Sequence, residues 1–176
     1  HGFEQEERII HLLVAKGTEA MLDADVDEEE VIPVSIATWI VDEIEEDQIE
    51  FATPIFSKMY NMLADEIEKE HVPNTDWWVR REDPEIITVV TEALTEKYTL
   101  ANWKSKEIYL PDEKNTIFPL VNETTLRMKY VHVERKLNEL KEYLSMENAD
   151  YNYYMVQFQK WNNARQHINE KLNRVV

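Results

Sequence analysis

Two spacings of acidic and histidine residues resemble metal-binding patterns, and the first is an incomplete calcium loop. Asp23, Asp25 and Asp27 alternate as the first ligands of such a loop do. A calcium loop also requires glycine at its sixth position and a bidentate glutamate at its twelfth, where this chain has Glu28 and Val34. We therefore interpret the segment as an acidic loop exposed to solvent.

The second pattern, Glu68-x-x-His71, matches half of the di-iron site that some helical bundles carry. That chemistry requires a second Glu-x-x-His on a facing helix. None of the other histidines has a glutamate three residues before it, as the sequence shows for His1, His11, His132 and His167. The ligand count therefore predicts no metal site.

Catalytic arrangements are also incomplete in the sequence. Pro111–Lys114 resembles the start of a nuclease signature but has no flanking strands, and a phosphate-binding loop needs more glycines than Gly2 and Gly17. The serines lie in or beside helical patterns rather than at the sharp turn of a nucleophile. We expect no catalytic residue and no cofactor, so this chain is predicted not to be an enzyme. An all-α hydrolase is the alternative that metal analysis would test.

Composition predicts an all-α protein that does not bind nucleic acid directly. Only two glycines occur in 176 residues, and no Asn-Gly or Asp-Gly turn is present. Residues 1–120 have 10 basic and 29 acidic side chains, a net charge of −19 that repels phosphate, whereas residues 121–176 have 9 and 7, a net charge of +2. The absence of cysteines, of a signal peptide and of a long apolar segment favours a cytoplasmic protein with no membrane association.

Residues 1–107 are expected to form a helical bundle. A first helix is predicted from about Glu4 to Lys16, with Gly17 ending it, and a second begins near Pro33. The second helix should stop early, because the acidic run Glu43–Asp47 lies at the negative end of its dipole. Capping signals mark three further helix starts: Thr53-Pro54, Asn74-Thr75 and Asp83-Pro84.

The helical periodicity fails before residue 121 and is strongest after it. Residues 108–120, with Pro111 and Pro119, are expected to be a connecting loop. Residues 121–176 contain neither glycine nor proline and carry two apolar stripes, which predict a long antiparallel helical hairpin. The first stripe is Leu126, Tyr130, Val133, Leu137, Leu140 and Leu144; the second is Tyr151, Tyr154, Phe158, Trp161, Arg165, Ile168 and Leu172.

The tip of this hairpin is the candidate binding site. The aromatic residues of the second stripe are expected to pack in the seam, the line along which the two stripes face each other. Arg165 of the same stripe either stacks on Tyr130 or extends to solvent. A two-helix hairpin cannot bury both faces, so apolar residues off the seam should be exposed. We predict a partner-binding surface near the tip formed by Tyr143, Met146, Tyr153, Val156 and Lys160.

In chain order, several segments resemble the C-terminal region of bacterial DnaG-type DNA primases, which binds the replicative helicase. The resemblance is carried by residues 5–10, 36–40, 49–56, 83–86 and 96–98, by Trp103, and by residues 168–176. It implies a helical bundle followed by a hairpin that docks on the N-terminal domain of the hexameric helicase. It also implies zinc-binding and polymerising domains upstream, which agrees with the missing initiator methionine.

The resulting hypothesis is a non-catalytic module that recruits primer synthesis to the replication fork through the hairpin tip. The alternative is a self-associating helical adaptor or scaffold with no role in replication. The acidity of the bundle departs from family members that bind the acidic tail of single-strand-binding protein, so that property is not transferred to this chain.

Overall fold

The computed structural model describes residues 2–21, 34–104, 113–146 and 150–174, with backbone only for 96–104, 113–116 and 173–174. The described residues form seven helices: α1 Gly2–Lys16, α2 Ile36–Glu46, α3 Pro54–Glu68, α4 Thr75–Val79, α5 Pro84–Lys104, α6 Glu113–Leu144 and α7 Tyr151–Arg174. Two antiparallel strands of two residues each, β1 Ala20–Met21 and β2 Val34–Ser35, connect α1 to α2. The all-α prediction is confirmed, with this strand pair as its small exception.

Two helix starts lie where local capping predicts them. The Asn74 side chain accepts a hydrogen bond from the Trp77 amide at 2.9 Å, and Asp83 accepts from the Glu85 amide at 2.9 Å. The prediction for Pro33 is wrong about the start of the second helix: α2 begins at Ile36, with Ser35 as its N-cap, and Pro33 itself lies outside the described residues. The backbone of Ser35 pairs with β1, so the preceding chain is extended rather than helical.

Gly17, which directly follows the last residue of α1, is required for a steric reason. A Cβ atom at this position would collide with the carbonyl oxygen of Leu13 and approach the Ala37 side chain to 3.3 Å. The Ala37 amide donates to the Gly17 carbonyl at 2.9 Å, which holds the end of α1 against the start of α2. Glycine therefore allows the close contact between these two helices.

One hydrophobic core unites α1 to α5 with the first half of α6. Its completely enclosed side chains come from all parts of the bundle and include Ile9, Leu13, Ile40, Met59, Leu63, Trp78, Ile86 and Met128.

No helix in the described ranges is long and apolar enough to cross a lipid bilayer.

The predicted connecting loop at 108–120 is wrong from Glu113 onward, because α6 runs without interruption from Glu113 to Leu144. Pro119 lies inside this helix. Ile117 and Val121, on either side of it, are buried in the bundle core at 8% and 0% exposure. Burial of these side chains offsets the hydrogen bond that proline cannot donate. The bundle is therefore joined to the hairpin by a continuous helix, while residues 108–112 lie outside the described residues.

The predicted hairpin is formed by α7 and by the part of α6 that begins near Leu126. Leu126, Val133 and Leu137 of α6 bury against Ile168 of α7, flanked by partly buried Tyr130, Phe158, Trp161, Ala164 and Leu172. Arg165 forms hydrogen bonds with Glu134 at 3.1 Å and with Asn162 at 2.6 Å. The seam assignment is wrong for Tyr151, which is 62% exposed. Tyr151 is the first residue of α7, in the turn of helix that lies nearest the tip.

Candidate functional site

The hairpin tip is held by hydrogen bonds on both sides of its turn. At the end of α6, the Ser145 hydroxyl donates to the Glu142 carbonyl at 2.6 Å, and the Met146 amide donates to the Tyr143 carbonyl at 3.1 Å. At the start of α7, Asp150 accepts from the Tyr153 amide at 3.1 Å through its side chain. Hydrogen bonds thus cap both helix ends, and the tip side chains on them project from hydrogen-bonded backbone.

Three tyrosines form a contiguous stack at the tip. The rings of Tyr143 on α6 and Tyr154 on α7 lie parallel, with centroids 5.2 Å apart and an interplanar angle of 6°. Tyr153 packs its ring edge-on against Tyr154 at 5.3 Å. Such ring pairs contribute about 0.5–1.5 kcal/mol beyond the area they bury. The stack therefore fixes the relative positions of the two helix ends and of the exposed rings.

Several apolar side chains at the tip are largely exposed to solvent. Four of the five predicted binding residues are strongly exposed at the tip: Tyr143 (45%), Met146 (57%), Tyr153 (57%) and Val156 (63%). Tyr151 is also exposed, at 62%. We give the name tip patch to Tyr143, Met146, Tyr151, Tyr153 and Val156. Tyr151 is not among the predicted binding residues, because its heptad position alone predicts burial in the hairpin.

Lys160, the fifth predicted residue, is exposed and lies one turn below Val156 on α7. Tyr153, Val156 and Lys160 follow a spacing of three and four residues, so they share one helical face. The remaining charged residues around the tip include Lys141, Glu142 and Asp150, all exposed. An apolar centre with a mixed polar rim is the usual arrangement of a protein-binding surface.

A cleft of about 370 Å³ lies at the other end of the hairpin, between α2, α6 and α7. In its wall, Lys129 of α6 binds Glu43 at 2.6 Å and Asp47 at 2.7 Å. Burial alone would lower the pKa of Lys129, but the hydrogen bonds to Asp47 and Glu43 raise it above its usual range. This ion pair explains why α2 does not stop early as predicted: the helix extends to Glu46 because Lys129 neutralises its acidic end.

His132 also lines the cleft and is buried, at 5% exposure, with its ring edge-on to Trp161 at 5.6 Å. Its Nδ1 atom has no hydrogen-bond partner in the described part of the chain. Burial lowers the pKa of His132, and the nearby charges of Lys136 and Arg135 lower it further against the opposing effect of Asp47 and Glu139. The folded protein therefore favours the neutral imidazole.

His132 should make the protein less stable in mild acid. Because its pKa is lower when folded than the ordinary 6.5, the unfolded chain binds the proton first, and stability is lost as the pH falls below that value. We expect His132 to lower the free energy of unfolding by up to about 1.4 kcal/mol for each unit that the pH decreases. Urea denaturation at several values from pH 8 to pH 5 measures this slope. His132→Gln should flatten the curve, and identical curves for His132→Gln and wild type would contradict the assignment.

Of the two metal-binding patterns that the sequence analysis rejects, the structure describes the one that contains His71. His71 Nδ1 contacts Glu66 Oε2 at 2.7 Å, so its carboxylate partner is Glu66. The Asp23–Asp27 pattern lies outside the described residues, as do Pro111 and Asp112. A different group does converge where α1 meets α5: Glu7, His11 and Glu92, whose spacing in the sequence matches no metal-binding pattern.

The fold and the site together define a class: an all-α bundle whose sixth described helix extends into a hairpin with an exposed aromatic tip. The chain belongs to the family described as "Domain of unknown function (DUF8430)", whose model matches residues 3–175. No curated protein and no solved structure gives a significant match to the chain.

Proposed function

We propose that this domain is a non-catalytic recruitment module and that its tip patch binds a helical region of a partner protein. The observation that carries the proposal is the exposed tyrosine stack on capped helix ends, because rigid aromatic side chains lose little conformational entropy on binding. Aromatic anchors of this kind commonly supply most of the binding energy at protein interfaces.

The resemblance to DnaG-type primases suggests the partner: the N-terminal domain of a hexameric replicative helicase. In that role the domain works in the cytoplasm and makes no direct contact with nucleic acid. Binding through the tip would tether upstream polymerising domains to the helicase and raise their effective concentration at the fork. The excess of acidic side chains on residues 1–120 agrees with a role that avoids DNA.

Titration calorimetry of the domain against that helicase domain tests the proposal. We expect binding with a Kd in the micromolar range or tighter, and no heat at tens of micromolar would overturn the choice of partner. Tyr153→Ala should weaken binding at least about tenfold, equivalent to about 1.4 kcal/mol, because it removes an exposed ring from the stack.

The matched control for Tyr153→Ala is Ile87→Ala, which removes an apolar side chain that is 43% exposed on α5, away from the tip. Equal affinity of both variants would contradict a tip-directed interface. Sedimentation of the free domain tests the alternative, because an adaptor that self-associates through the tip would form a dimer that Tyr153→Ala disrupts.

A further inference from the structure

Three metal-ligating side chains come together on the bundle, away from the hairpin tip: Glu7 and His11 of α1 and Glu92 of α5. Each residue offers one ligand atom, and the three atoms all lie within 4.8 Å of one another. Glu7 and His11 are four residues apart, so they lie on the same face of α1, one turn from each other. Glu92 completes the group from a helix that is far away in sequence.

Helix packing sets the position of the group. α1 packs against α5. Both helices carry buried apolar side chains, including Ile10 and Val14 on α1 and Val89 and Ala93 on α5. His11 lies at the edge of this contact and is 8% exposed, Glu7 is half-buried, and Glu92 is exposed. The imidazole is therefore held by its surroundings, while the exposed carboxylate side leaves a path for an ion to enter.

The donor set selects the kind of ion. One imidazole nitrogen with two carboxylate oxygens suits zinc and related transition metals, whereas calcium and magnesium prefer oxygen ligands alone. Tetrahedral zinc with bonds of about 2.0–2.1 Å places its ligand atoms about 3.3 Å apart. The three ligand atoms, which lie within 4.8 Å of one another, must therefore draw closer when the ion binds, and exposed Glu92 has room to change rotamer.

We propose that Glu7, His11 and Glu92 bind a divalent transition metal of the zinc type, which clips α1 to α5. Three protein ligands leave the fourth position of a tetrahedral ion for water. The dication also relieves the repulsion between Glu7 and Glu92 within a part of the chain that carries a large excess of acidic residues. This site is independent of the tip patch and of its partner.

The test is a zinc titration of the full chain in excess Mg²⁺, which occupies nonspecific carboxylate pairs. We expect one Zn²⁺ per chain, and we expect Glu92→Gln to weaken its Kd by at least about tenfold, the lower end of what even outer-shell changes cost at metal sites. Glu92 is exposed, so this variant should keep the fold, which circular dichroism checks. His11→Gln should weaken binding in the same way.

The matched control is His71→Ala, since His71 is also a histidine beside a glutamate but lacks a third ligand in the described residues. It should bind Zn²⁺ as wild type does. Co²⁺ should give the intense visible absorption of a tetrahedral site in wild type and lose it in Glu92→Gln. Absence of zinc binding to wild type, equal affinity of Glu92→Gln and wild type, or an equal loss in His71→Ala would each overturn the proposal.

Discussion

Glu6→Ala is expected to lower the free energy of unfolding by about 3 kcal/mol, because it removes a buried carboxylate that joins three parts of the fold. Glu6 is completely buried, and its two oxygens accept hydrogen bonds from the Ala52 amide at 2.7 Å and the Thr53 amide at 2.9 Å. Arg135 of α6 also donates to it at 3.3 Å. Glu6 thereby satisfies the backbone amides that precede α3, while the Thr53 side chain forms no capping bond to that helix.

The same group makes stability depend on pH. Burial alone would raise the pKa of Glu6, but the hydrogen bonds from Thr53, Ala52 and Arg135 lower it below the ordinary 4.5. The stabilisation is therefore complete above that value and is lost as the pH falls through the lower pKa of the folded state. Glu6→Gln, which cannot ionise, should lack this part of the acid transition.

Urea denaturation followed by circular dichroism measures both effects. The control is Glu4→Ala on the same helix, where the side chain is exposed and the expected change is within about 0.5 kcal/mol. If Glu6→Ala and Glu4→Ala had the same midpoint, Glu6 would not hold α1, α3 and α6 together as the hydrogen bonds indicate.

Leu137→Ala is expected to cost about 3 kcal/mol and to act mainly on the hairpin. Leu137 is 1% exposed and lies at the centre of the seam with Val133 and Ile168. The main packing partner of α7 is α6, so a cavity here weakens nearly everything that holds α7 in place. The bundle core lies elsewhere and should stay folded at denaturant concentrations that release α7.

Hydrogen exchange resolved by residue distinguishes this result from global destabilisation. In Leu137→Ala, the amides of α7 should exchange faster while those of α1 and α3 keep the rates of wild type. Leu120→Ala is the control, since Leu120 also belongs to α6 but is 48% exposed. A uniform loss of protection across bundle and hairpin would contradict a separately unfolding hairpin. Partner binding at the tip should fall together with α7 protection.

Several predictions that depend only on neighbouring residues agree with the structure. Asp83 and Asn74 cap their helices as predicted, because a capping side chain bonds to amides two or three residues away. The hairpin is also found where the two stripes place it, since a seam depends only on spacing along each helix. The exposure of Tyr143, Met146, Tyr153 and Val156 follows from the same argument, whereas their role in binding stays a prediction.

Two of the wrong predictions share a cause. Pro119 lies within α6 because Ile117 and Val121 are buried against the bundle, and α2 extends to Glu46 because Lys129 reaches it from α6. In both places, a contact with a remote helix outweighs the local preference that predicted a break. Nothing within a few residues of either position carries that information.

By itself, then, the sequence determined the helical class, most helix starts and the pairing of α6 with α7. These depend on spacing and capping over a few residues. The tertiary structure alone decided that Glu6 is a buried bridge, that His132 lies in a cleft, and that Glu7, His11 and Glu92 meet. Each of these requires side chains from helices distant in sequence, and their convergence is set by how the helices pack, which residue spacing does not encode.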